Sequence, residues 1–276
     1  MKNANRTLTA LAVAVCATVL GAPHLLSQTT TPARTPSFAR MTPEQMARAQ
    51  QAHEEQMRTD WADLKKYQAA DAALPPPATN ETRVVFMGDS ITEIWGKRLN
   101  PSMPEPAPFF PGKPYINRGI SGQTSPQMLV RFRQDVIDLK PKVVVILAGT
   151  NDLAENTGPM RLQDTESNLQ SMSDLATANG IRVVLCSVLP AKSFWWHPGI
   201  DPSAKIVELN KWIHAYAARR GFPYVDYYDA MVDKNGGLRS DLSPDGVHPN
   251  PKGFAIMAPL AEAGIAQALS TEPAPH

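Results

Sequence analysis

Four short segments of this chain carry residue types that can do chemistry together. Gly88-Asp89-Ser90 places a serine directly after an apolar run and directly before a segment that can start a helix. A serine hydroxyl becomes a nucleophile when a base takes its proton, and histidine is the usual base. Asp245-Gly246-Val247-His248 supplies such a histidine with an acid three residues before it, on a turn punctuated by Pro244, Gly246, Pro249 and Pro251. The acid can hold the second ring nitrogen and stabilise the cation. Gly149-Thr150-Asn151-Asp152 offers the Asn151 amide, and the stretch from Asn117 to Thr124 offers Gly122, where backbone can approach a ligand with no side chain in the way. The Ser90 N–H, the Gly122 N–H and the Asn151 amide would form a three-donor hole for an oxyanion. Each motif alone has a plainer reading: Ser90 as a helix cap, Asp245 and His248 as a surface turn or half a metal site.

These segments need a scaffold that brings them to one edge. Short apolar runs at Val84-Val85-Phe86-Met87, Tyr115-Ile116-Asn117, Val143 through Leu147, Val183-Val184-Leu185-Cys186 and Tyr224-Val225-Asp226 read as strands buried on both faces. Helical periodicity lies between them, in Leu129, Phe132, Val136 and Leu139, in Leu169, Met172 and Leu175, in Ile206, Leu209, Ile213 and Tyr216, and in Phe254, Met257 and Leu260. Alternating strand and helix predicts a parallel α/β sheet with right-handed crossovers. In the order 2-1-3-4-5 the first three strands are neighbours, so Ser90, Gly122 and Asn151 converge at the switch point.

The motifs occur together and in an order that resembles the GDSL or SGNH hydrolase family. Its blocks match Gly88-Asp89-Ser90-Ile91, Gly122 within residues 119–124, Gly149-Thr150-Asn151-Asp152, and Asp245-Gly246-Val247-His248, over about residues 84–265. Ile91 stands where the family name has Leu, a swap between similar hydrophobes. The resemblance implies a flavodoxin-like three-layer α/β/α sandwich with a parallel five-stranded sheet in the order 2-1-3-4-5. It also implies ester hydrolysis without a cofactor. By position it assigns Ser90 as nucleophile, His248 as base, Asp245 as its orienting acid, and Ser90, Gly122 and Asn151 as oxyanion donors. Within the family the chain is most similar to bacterial acetyl esterases and the platelet-activating-factor acetylhydrolase-like branch. Short-chain acyl esters, acetyl above all, with carbohydrates as a candidate alcohol half, are the substrates this implies. An acyltransferase acting on glycans and a catalytically silent carbohydrate-binding protein are the two rival readings.

Other residues near the motifs read as supports. Asp89 and Asp152 suit turn hydrogen bonds, Asn117 suits holding the second turn, and Ser121 lies outside any Gly-x-Ser-x-Gly elbow. Trp195 and Trp196, after the fourth strand, can present a stacking face to a sugar or acyl chain, or can pack their loop down. Six prolines between 101 and 114 mark a stiff surface loop, either a rim of the site or a plain spacer.

Composition narrows the alternatives. The 276 residues carry 27 Lys and Arg against 26 Asp and Glu, a formal charge of +1, with no basic stripe, so no nucleic-acid partner is expected. Lys2 and Arg6 precede a nearly apolar run over residues 8–20, which reads as a secretory signal cleaved between about residues 22 and 30. Export to the periplasm or medium follows, with no stable membrane insertion after cleavage. Taking residues 1–28 as the signal leaves a formal charge of −1 and one cysteine, Cys186, which reads as a buried small hydrophobe. None of the six histidines lies in a His-Glu-x-x-His motif, and with no paired cysteines no metal site is expected. Residues 29–41 read as a linker and 42–78 as a helical extension. A helix would start at Thr42-Pro43, run to about Ala73 with a break, and carry Trp61, Leu64 and Tyr67 as a sparse apolar stripe. Residues 79–270 form the hydrolase domain in this reading.

Overall fold

The computed structural model describes residues 42–97, 106 and 108–270. The expected signal and linker segments, residues 1–28 and 29–41, lie outside the described residues, as do residues 101–105 and 107 of the proline-rich stretch.

Five strands form one parallel sheet: β1 (Val84–Gly88), β2 (Tyr115–Gly119), β3 (Val143–Leu147), β4 (Arg182–Cys186) and β5 (Tyr224–Val225), in the order β2-β1-β3-β4-β5. Both β2 and β3 pair with β1 in register, so Gly88 faces Gly119 on one side and Leu147 on the other. Three strands therefore end level, and the loops that follow them share one edge.

Alternation along the strands divides the core into two layers. Val85, Met87, Val144, Ile146, Val183 and Leu185 face one way. They meet the apolar faces of α4 (Ser125–Asp135), α6 (Leu162–Ala178) and α7 (Ser203–Arg220). Val84, Phe86, Val143, Val145, Val184 and Cys186 face the other way, toward α3 (Ser90–Glu93), α8 (Tyr227–Met231) and α9 (Pro251–Ser270). This is the three-layer α/β/α sandwich. By length and composition α9 could cross a membrane, but its Phe254, Met257, Ala261, Ile265 and Ala268 are buried on the sheet. Cys186 is buried as expected, and burial pushes its thiol up to about 12.

The N-terminal segment departs from one continuous stripe. α1 (Pro43–Thr59) and α2 (Gln68–Ala73) are separated by a turn that contains Trp61, Leu64 and Tyr67. Asp60 causes the break: its carboxylate accepts from the N–H of Leu64 at 2.8 Å and of Lys65 at 3.2 Å, giving the backbone an alternative to helix. Asp63 completes the turn at φ +52°. Trp61 and Leu64 are exposed, and only Tyr67 of the three turns inward, its hydroxyl donating to Gly119 O at 2.5 Å. The turn docks through backbone carbonyls. Gln123 Nε2 donates to Ala62 O, Gln127 Nε2 to Trp61 O and Gln134 Nε2 to Leu64 O, each at 2.7 Å.

The described end of the proline-rich stretch is no plain spacer. Phe109 and Phe110 pack with Phe86, Trp95 and Tyr115 in an aromatic cluster with ring centroids about 5–6 Å apart.

Candidate active site

Ser90 is the first residue of α3, separated from the end of β1 by Asp89 alone. Asp89 caps the helix, its Oδ1 accepting from Ile91 N at 2.9 Å. Burial of Asp89 drives its carboxyl up to about 6, against the pull of the Ile91 N–H and the His248 charge. Ser90 Oγ lies 2.9 Å from His248 Nε2. His248 Nδ1 lies 2.7 Å from Asp245 Oδ2.

The turn carrying Asp245 and His248 is built locally. Asp245 Oδ1 accepts from Val247 N at 3.0 Å and from His248 N at 2.8 Å, while Ser243 Oγ accepts from Gly246 N at 2.9 Å. Burial opposes ionisation of Asp245, but the His248 ring and these N–H groups outweigh it and hold the carboxyl at about 2. An ionised carboxylate only accepts, so Nδ1 bears the proton and Nε2 presents a lone pair to the Ser90 hydroxyl. The three groups form one relay with its tautomer set.

The donors expected for an oxyanion come to the same edge. Among the described residues neither the Ser90 N–H nor the Gly122 N–H has an intramolecular acceptor. Gly122 sits at φ +77°, a conformation side chains rarely adopt. Asn151 lies in α5 (Thr150–Leu153) and is almost fully buried. Its Nδ2 donates to Gln123 O at 3.0 Å, leaving its second proton only a 3.4 Å contact with Asp89 Oδ2. Gly149 starts that helix at φ +126°, and a Cβ there would come within 2.9 Å of Leu209 and Val188.

The supporting residues behave as their types suggest. Asn117 Oδ1 accepts from Gly119 N at 2.9 Å and its Nδ2 donates to Thr92 O at 2.6 Å. Asp152 accepts from Ser125 N at 3.0 Å, from Ser125 Oγ and from Thr165 Oγ1 at 3.1 Å. Ser121 donates through both N and Oγ to Glu93, each at 2.7 Å.

The loop after β4 treats its aromatics differently. Phe194 is an inaccessible anchor, while Trp195 keeps 49% of its surface exposed. Trp196 is half-buried, 6.1 Å from the His248 ring, and packs edge-on against Trp195.

Two residues went unnoticed in the sequence. Asn156 Nδ2 donates to Asn151 Oδ1 at 2.8 Å and to Gly122 O at 3.0 Å, while its own Oδ1 accepts from Trp196 Nε1 at 2.8 Å. It thereby fixes which end of the Asn151 amide faces the site. Arg131, fully buried, donates to Gly88 O at 3.0 Å, Arg118 O at 2.8 Å, Gln123 Oε1 at 2.5 Å and Asp135 Oδ2 at 2.9 Å. It ties the ends of β1 and β2 to the loop that carries Gly122. Neither belongs to a spacing pattern, so no local signal announces them. Among the described residues, no three His, Cys, Asp or Glu side chains converge as metal ligands.

Comparison with known proteins agrees with this geometry. Residues 86–256 match the model of the GDSL-like lipase/acylhydrolase family. A GDSL-like lipase from Bacteroides thetaiotaomicron has a solved structure that is 47% identical, covers 76% of this chain and 100% of its own, and superposes with a TM-score of 0.71. An acetylxylan esterase from Xylanibacter ruminicola is 28% identical over 221 residues, 70% of this chain but 45% of the relative. An uncharacterised lipoprotein from Bacillus subtilis is 28% identical over 171 residues, 51% of this chain and 69% of its own. The chain belongs to the GDSL-like lipase/acylhydrolase family and is a carboxylic ester hydrolase.

Proposed function

We propose that this enzyme removes short acyl groups, acetyl foremost, from carbohydrate esters by way of an acyl-Ser90 intermediate. The observation that carries the mechanism is the unbroken relay Ser90 Oγ–His248–Asp245, at 2.9 and 2.7 Å, beside two N–H groups with no acceptor among the described residues. Ser90 Oγ attacks the ester carbonyl carbon while its proton passes to His248 Nε2. The carbonyl π pair moves onto oxygen, where the Ser90 and Gly122 N–H groups and the Asn151 amide receive it. Collapse re-forms the carbonyl and breaks the bond to the alcohol, which leaves with the proton from His248. Water then attacks the acyl-enzyme and gives a proton to His248, which returns it to Ser90 Oγ as the acid departs. Asp245, ionised throughout, holds the ring and offsets its transient positive charge.

The carbohydrate part of the reading draws on the exposed Trp195 beside Trp196, a surface suited to stacking on a sugar ring, and on the acetylxylan esterase relative. The N-terminal signal pattern and the lipoprotein relative support export to the periplasm or medium. Cell fractionation checks that part: protein retained in the cytoplasm would contradict it.

Hydrolysis of p-nitrophenyl acetate, butyrate and octanoate by the purified enzyme, with Ser90→Ala beside it, tests the whole. The expected result is serine-dependent turnover fastest on acetate. Preference for octanoate would move the substrate to lipids, and turnover surviving in Ser90→Ala would remove the mechanism.

A further inference from the structure

We infer that the N-terminal extension completes the substrate site, forming with the Gly122 and Asn156 loops a subsite for a neutral, hydroxyl-rich group: a sugar unit next to the one that bears the ester. This rests on the carbohydrate-esterase reading above and adds to it where the sugar lies.

A cavity of about 240 Å³ opens between the extension and residues 120–123 and 156–157. That is below the roughly 300–1,000 Å³ of pockets for drug-sized ligands, so it has room for a small ring and not a long chain. Gly122 and Asn156 belong to its wall. Gly122 is itself one of the proposed oxyanion donors and Asn156 holds the Asn151 amide, so one molecule can place its ester at Ser90 and a neighbouring group in the cavity. Trp195 and Trp196 follow β4, whereas the cavity lies beyond the end of β2. Ser90, at the end of β1, falls between them in the sheet order. An oligosaccharide esterified within its chain would cross the edge in that way.

The lining selects the ligand. His53, Gln56 and Asp63 reach it from the extension, and their side chains have no hydrogen-bond partner among the described residues. They offer donors and acceptors in the mixture that sugar hydroxyls require. Met57 and Ile120 supply apolar contact for C–H faces. An acyl chain would strand these polar groups, at a cost for each one left buried and unpaired. An anion is disfavoured as well, because Lys66 is committed to Glu93 at 2.8 Å and the Asp63 carboxyl shares the wall. The three glutamine-to-carbonyl bonds that dock the 61–64 turn hold this wall in place.

The test compares the full-length enzyme with Gln56→Ala and the double variant Gln56→Ala/Asp63→Gly, glycine being suited to the φ of +52° at Asp63, on two substrates. For an acetylated xylo-oligosaccharide the subsite predicts KM raised about tenfold in the double variant, as for loss of a pair of hydrogen bonds, with kcat little changed. For p-nitrophenyl acetate, which has nothing to place in the cavity, both constants stay as in the parent, which also reports that the variant is folded. Calorimetry with unesterified xylotriose reads the subsite without chemistry, and the double variant should bind about tenfold more weakly. Unchanged KM and unchanged xylotriose binding would overturn the subsite while leaving serine-dependent hydrolysis of p-nitrophenyl acetate, and so the esterase reading, intact. Equal losses on both substrates would also overturn it, since they would mark a structural role. Loss of the esterase reading shows differently, as p-nitrophenyl acetate turnover that survives Ser90→Ala.

Discussion

The two halves of the site are built by opposite means. The turn that carries Asp245 and His248 is held by bonds among Ser243, Asp245, Gly246, Val247 and His248, all within six residues. The oxyanion side is held across the fold. Arg131 reaches back 43 residues to Gly88 O, Asn151 reaches 28 to Gln123 O, and Asn156 reaches 34 to Gly122 O. In the proposed mechanism a local turn sets the geometry of proton transfer, while the oxyanion donors come from three strand ends that only tertiary structure brings together. The acid–base half should therefore fail at one residue without loss of fold, and the oxyanion half should fail through stability and alignment together.

The sharpest way to break this contrast is Asp245→Asn. An amide at that position no longer enforces the Nδ1–H tautomer, so kcat should fall about 10⁴-fold while urea unfolding changes little. A comparable drop in stability would mean that the turn is no more self-contained than the other half.

Arg131→Met probes the opposite half. It keeps most of the side-chain volume but leaves the buried Asp135 carboxylate without its cation and takes one of two donors from the Gly88 carbonyl, which Ile120 N–H also serves. A loss of about 3–5 kcal/mol in urea unfolding is expected, as for breaking a buried ion pair. Ser243→Ala, its counterpart in the local turn, should cost about 1 kcal/mol. Equal costs would erase the distinction.

Asp89 sharpens it through pH. Its carboxyl stands at about 6 in the folded enzyme against 3.8 ordinarily, so the native state holds the proton more tightly than the unfolded chain. Below pH 4 both states are protonated and the group costs nothing; between about pH 4 and 6 a destabilisation builds, and above that it levels off at up to about 3 kcal/mol. Asp89→Asn resembles the protonated form. Its stability relative to the parent should rise from pH 4 to 6 and then plateau in denaturation curves. A pH-independent difference would place the Asp89 charge outside the buried network.

A modest effect is expected at Asn156. Asn156→Ala frees the Asn151 amide to rotate and should lower kcat about tenfold on p-nitrophenyl acetate with KM unchanged. In an Asn151→Ala background it should have little further effect, because it acts through that amide. Full additivity would show that Asn156 acts by another route.

This contrast also explains what the sequence disclosed. Strands such as Val143–Leu147 were legible because burial on both faces demands an unbroken apolar run. The relay partners were legible because Asp245 and His248 are neighbours on one turn, and Ser90 follows its strand directly. Arg131 and Asn156 were not, since nothing near either names a partner dozens of residues away. The break in the N-terminal helix was expected, but not its place: the spacing of Trp61, Leu64 and Tyr67 imitates a helical stripe, and only the Asp60 carboxylate and the bonds from Gln123 and Gln127 show where the chain turns.

The central claim is that Ser90 is the nucleophile and that His248 activates it. Labelling with p-nitrophenyl ethyl methylphosphonate, followed by peptide mass spectrometry, tests it most directly. The account predicts one adduct, on the peptide containing Ser90, with labelling slowed at least a hundredfold in His248→Ala. An adduct on another residue, or labelling of Ser90 at the parent rate without His248, would contradict it.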